Sequence, residues 1–134
     1  MKNKDQIAFL QNMLVTMLGQ LKDVNIAVDG LKAMYDVSKL SGDIGLLSKI
    51  NDLTQIELVD QCIHPMHASL SVYRDHLDRS IILCYKALRE LLRQELKTVD
   101  DKLRSVILEE ISRIDGILVE SNIASANDNK FTMN

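Results

Sequence analysis

Residues 7–35 read IAFLQNMLVTMLGQLKDVNIAVDGLKAMY, and this stretch decides the fold. Apolar side chains recur in it at spacings of three and four residues, which keeps them on one side of an α-helix for about four heptads. An isolated helix would leave this seam in water, so the rest of the chain, or a second copy of it, must cover the seam. The members of this first-helix seam are Ile7, Leu10, Leu14, Met17, Leu21, Val24, Val28, Leu31 and Tyr35.

The composition favours one helical domain. A chain of 134 residues is long enough to bury a core without metal or disulfide cross-links. Hydrophobic residues make up 46% and charged residues 26%, which is ordinary for a folded domain. Because there are five glycines, one proline and no tryptophan, turn signals are sparse and the core must be mainly aliphatic. We therefore expect an all-α fold.

Charge and hydropathy argue against two classes of partner. The formal net charge of −3 gives no overall attraction to nucleic acid or to anionic membranes, so binding of either would need a local patch, and nucleic acid is disfavoured as a partner. The longest apolar runs, such as residues 81–85, are far shorter than the roughly 20 residues that span a bilayer. The basic start leads into amphipathic sequence without a small-residue cleavage site, so no signal peptide is expected. Cys62 and Cys84 are too few for a disulfide framework, and we expect a cytoplasmic protein with reduced thiols.

The first helix is expected to begin at Lys4 or Asp5 and to end near Val37 or Ser38. Its apolar face is wider than a two-stranded coiled coil needs and suits a bundle of three or four helices. The residues that widen this face are Met13, Leu18, Ala27 and Met34.

Two glycines lie inside the first helix, away from the seam. Gly19 and Gly30 each cost about 1 kcal/mol relative to alanine in a helix interior. Close approach of another backbone is one explanation, and we favour the simpler one of tolerated surface glycines.

A short second helix is expected over 52–63, after a loose segment at 39–52. Thr54 and Glu57 have capping-box spacing, which marks its start. We expect it to end at Pro65, because proline lacks the amide hydrogen and disfavours a helical conformation in the residue before it.

The apolar period resumes after the proline and predicts a third helix over about 66–96. A turn is expected over 97–101, where Thr98 and Asp101 resemble a capping box for the fourth helix. The alternative is one continuous helix over 66–120, about 80 Å long at 1.5 Å per residue. Such a helix would outrun its partners in the chain and force dimerisation or domain swapping.

The fourth helix is expected to end near Glu120, where the sequence becomes small and polar and the apolar period stops. We therefore assign residues 1–122 to a helical bundle domain and residues 123–134 to a flexible carboxy-terminal tail. The predicted fold is an antiparallel bundle of three long helices with one short helical segment, as a monomer, a dimer or a swapped dimer.

Reactive groups do not form a recognisable site in the sequence. Cys62, His64 and His67 straddle a helix end, yet their spacing matches no structural zinc pattern, and His76 is out of phase with them. Solvated histidines are the favoured reading, so neither a metal nor another cofactor is predicted. No nucleophile elbow, phosphate-binding glycine loop or dinucleotide fingerprint occurs. The chain is therefore not expected to be an enzyme.

A stripe of basic residues runs along one side of the predicted third helix and suggests the alternative function. Such a line can contact phosphates or an acidic partner. Acidic residues are interleaved with it, so a solvated face with local ion pairs is the favoured reading. The stripe consists of Arg79, Lys86, Arg89 and Arg93, and the interleaved acids are Asp78, Glu90 and Glu95.

The function that these patterns favour is a non-enzymatic helical protein–protein interaction module, such as an adaptor, a chaperone-like binder or a regulator. Its partner is expected to be another protein or a second copy, forming a homodimer. Methionine side chains adapt to partner surfaces of varied shape, and they also pack well in a protein core, so the methionines of the first helix suit either role. The predicted partner interface is Met13, Met17, Leu21, Val24, Val28, Leu31 and Met34. The alternative is a small regulator that binds nucleic acid or an acidic partner through the basic stripe.

Overall fold

The computed structural model describes residues 2–41, 57 and 59–132, with side chains described for 2–36, 57 and 60–121. All regular structure in these residues is helical, which confirms the all-α prediction. The described residues form three long helices and one short π turn. They are α1 (Lys4–Ser41), the π turn (Val59–Ile63), α2 (His64–Glu95) and α3 (Asp101–Thr132).

The chain folds as two compact units. The first unit comprises Met1–Leu18 and Arg79–Asn134, and the second comprises Gly19–Asp78. Helices α1 and α2 each contribute one end to each unit. In the part of the chain that the structure describes, no helix is both long enough and apolar enough to cross a membrane.

Helix α1 begins at Lys4, as predicted, and ends at Ser41, three residues beyond the predicted end. The chain itself covers the first-helix seam, since none of its nine members is exposed. Leu10, Leu21 and Tyr35 are half-buried, and the other six members are buried. The expectation that the rest of the chain, or a second copy, covers this seam is therefore met by the chain itself.

The predicted helix end at Pro65 is wrong. The π turn runs directly into α2 at His64, so the chain stays helical through the proline. Pro65 has no N–H for the carbonyl of Gln61, and its ring would crowd that carbonyl in a regular α-helix. The wider π turn gives the ring room. The start of the predicted second helix, with its Thr54 cap, lies outside the described residues.

Helix α2, the predicted third helix, ends at Glu95, and residues 96–100 form the predicted turn. The alternative of one continuous helix over 66–120 is therefore excluded. The predicted capping residue is wrong, because Asp100 caps α3 with an Oδ1 that accepts from the Leu103 N–H at 2.9 Å. Thr98 instead donates its hydroxyl to the Glu95 carbonyl at 3.3 Å.

Helix α3, the predicted fourth helix, continues to Thr132, so its predicted end near Glu120 is wrong. The segment after Gly116 contains neither glycine nor proline, and its small polar residues weaken a helix without breaking it. The flexibility of residues 123–134 stays a prediction.

Each unit has its own buried set, drawn from side chains at helical spacing. The first unit buries Ile7, Leu14 and Met17 of α1, Ile81, Cys84, Tyr85, Leu88, Leu92 and Glu95 of α2, and Ile107, Ile111, Ile114 and Leu118 of α3. The second unit buries Val24, Val28, Leu31, Ile63 and Leu77.

Candidate protein-binding groove

An apolar groove of about 680 Å³ opens in the first unit between α1 and α3, with Leu92 of α2 at its base. The buried side chains of Ile7 and Ile107 lie beside Leu92. Leu103 and Val106 are exposed on the α3 wall, Val106 to 60% of its surface. The groove is lined by Lys4, Ile7, Ala8, Gln11, Leu92, Leu103, Val106, Ile107, Glu109, Glu110 and Arg113.

The sequence explains why this space stays open. Lys4, Ala8 and Gln11 follow one another at spacings of four and three residues, so they lie on one side of α1. Ala8 is too small to fill the space beside α3, and Gln11 is polar. The first-helix seam faces the interior. The adjacent stripe of Lys4, Ala8 and Gln11 does not fill the space beside α3 and forms the α1 wall of the groove.

Charged side chains lie at the rim of the groove. Arg113 donates to Glu110 through two hydrogen bonds, one of them from Nε to Oε2 at 3.1 Å. These hydrogen bonds hold the pKa of Glu110 below its ordinary value, against the opposing effect of partial burial. Among the described side chains, neither Lys4 nor Glu109 has an ion-pair partner. The rim therefore carries one free charge of each sign, on opposite walls.

A buried carboxylate fixes the first turn of α1, which forms one end of the groove wall. Glu95 is only 1% exposed, and its Oε1 accepts a hydrogen bond from the Asn3 backbone N–H at 2.7 Å. The side-chain amide of Asn3 also donates to Gln94 Oε1 at 3.2 Å. Among the described residues, Glu95 Oε2 has no hydrogen-bond partner. Glu95 thus satisfies one of the free N–H groups at the start of α1.

The sequence-based view of Glu95 as part of a solvated face is wrong. Its place three residues after Leu92 and seven after Leu88 continues the buried side of α2. That spacing would have identified Glu95 as a buried residue.

Cys84 provides a second link between α1 and α2. Its thiol donates to the Leu10 carbonyl at 3.5 Å, and burial raises the pKa of this thiol. Cys84 is buried and Cys62 is exposed, and both are free cysteines.

The predicted partner interface is distributed over both units. Met13 and Met34 are exposed and Leu21 is half-buried. The other four members, Met17, Val24, Val28 and Leu31, are buried by the chain itself. The role of this set in partner binding stays a prediction. The groove was not predicted from the sequence, because its walls come from helices far apart in the chain.

Two members of the predicted basic stripe share one carboxylate. Arg89 donates to Asp115 Oδ1 at 2.9 Å, and Arg93 lies 3.9 Å from the same oxygen. Arg79 and Lys86 are exposed. Anion binding by the stripe stays a prediction, and Asp115 neutralises part of its charge.

The predicted histidine cluster lies in the second unit. The rings of His64 and Tyr35 are 5.8 Å apart between centroids and tilted by 45°. His67 joins them in lining a cavity of about 130 Å³. Among the described residues, no group of three or more histidine, cysteine or acidic side chains is placed to hold a metal ion.

Comparison with known proteins finds no matching family model, no matching curated protein and no matching solved structure.

Proposed function

We propose that this chain is a non-enzymatic helical protein-interaction module whose contact surface is the groove between α1 and α3. The observation that carries the proposal is an apolar groove with exposed Leu103 and Val106 on one wall and charges at its rim. An amphipathic helix binds such a groove by burying its apolar side and leaving its charged side at the rim. Adaptors, chaperone-like binders and regulators all work through contacts of this kind.

The proposal includes an antiparallel helical bundle in the first unit. The contacts of Asn3 with Glu95, and of Leu10 with Cys84, support an α1 that runs opposite to α2. The bond from Arg104 to the Leu96 carbonyl, at 3.4 Å, supports an α3 that turns back along α2. In this arrangement α1 and α3 run in the same direction. The groove between them lies where a fourth helix would complete a four-helix bundle.

The energetics suit a reversible contact. Fully burying an exposed leucine or valine contributes about 1.5–3 kcal/mol. Leu103 and Val106 are 37% and 60% exposed, so together they supply about one such contribution. Binding must also offset the loss of translational and rotational freedom of the partner. We infer an interaction that needs further contacts along α1 and α3 to become stable. The free thiols Cys62 and Cys84 support a reducing, cytoplasmic location for it.

A photo-crosslinking residue at position 106 of the full-length chain tests the proposal. We expect covalent protein adducts in native lysate, identified by mass spectrometry, because this side chain faces the groove. Purified wild-type chain added in excess should suppress the adducts, whereas the Val106→Glu variant should not. The matched control is the same crosslinker at Val119, which lies on the same helix outside the groove lining and is 57% exposed. Equal adducts from both positions, or none from position 106, would contradict the proposal.

A further inference from the structure

We draw no further inference here: the strongest candidate, the apolar surface patch between α1 and α2 in the first unit, where Phe9 is 63% exposed beside Leu10 and Leu91, is an unpartnered face, and nothing in the structure shows what covers it.

Discussion

The buried carboxylate of Glu95 holds the start of α1, and its removal should destabilise the first unit. Glu95→Ala removes the acceptor of the Asn3 N–H, and we expect the free energy of unfolding to fall by about 1–3 kcal/mol. Glu95→Gln should lose less, because its amide oxygen can still accept that hydrogen bond. Urea denaturation of the three proteins measures the difference.

Glu90 supplies the control, since it is an exposed acid on the same helix. Glu90→Ala should change the free energy of unfolding by less than about 0.5 kcal/mol. Equal losses for Glu95→Ala and Glu95→Gln would show that the carboxylate charge, and not the acceptor, stabilises the start of α1.

Individual buried residues were predictable where they continue an apolar period. The first-helix seam follows from spacing alone, and so does the buried position of Cys84. Glu95 lies on the same buried side of α2, but its charge led to the prediction that it is solvated. Its partner is a backbone N–H more than 90 residues away in the chain, and no local pattern indicates such a contact.

At the scale of an element, α1 carries two glycines that nothing in its packing requires. Apart from the adjacent residues and the surrounding backbone of α1 itself, no described atom lies within 4 Å of a Cβ placed on Gly19 or Gly30. Because alanine loses less backbone entropy and favours a helix, each Gly→Ala substitution should raise the free energy of unfolding by about 0.5–1 kcal/mol. Thermal and urea denaturation of the single variants and the double variant test this.

Ala33 offers the reverse substitution at an exposed position of the same helix. Ala33→Gly should lower the free energy of unfolding by a similar amount. A loss of stability with Gly19→Ala or Gly30→Ala would mean that the glycine is needed for a close contact, the alternative explanation that the sequence left open.

Element boundaries followed from the sequence where one signal dominates, and failed where two compete. The turn at 96–100 follows from the change in apolar period, but its cap is Asp100 because this side chain reaches the Leu103 N–H. Pro65 favours the end of a helix locally, but the chain stays helical there because a π turn directly before it accommodates the ring. Beyond Glu120 the end of the apolar period predicted the end of the helix, whereas the backbone remains helical to Thr132.

At the scale of the whole molecule, the fold class was predictable and the groove was not. Helical periodicity and the lack of turn residues suffice for an all-α chain. The groove depends on which stripe of α1 comes to lie beside α3, and these two stripes are about 100 residues apart in sequence. Periodicity shows what each helix must bury but not which exposed sides become neighbours.

The net charge of the whole molecule and the local charge near the basic stripe both oppose binding of polyanions. The net charge is −3, and Asp115 neutralises part of the stripe by its contacts with Arg89 and Arg93. We therefore expect the wild-type chain to elute from a heparin column below about 150 mM salt. At that salt concentration the attraction between charges more than about 8 Å apart is already screened. Asp115→Asn frees both guanidinium groups and should be retained to higher salt.

A control with the same change in net charge separates the stripe from the overall charge. Glu120→Gln removes one exposed acid from the same helix but lies away from both arginines. If local release of the arginines matters, Asp115→Asn should be retained more strongly than Glu120→Gln, and adding both Arg89→Ala and Arg93→Ala to Asp115→Asn should abolish the difference. Strong retention of the wild type at physiological salt, lost on Arg79→Ala or Lys86→Ala, would instead favour the polyanion-binding alternative. Asp115 would then be a partner that shapes the basic stripe and not one that neutralises it.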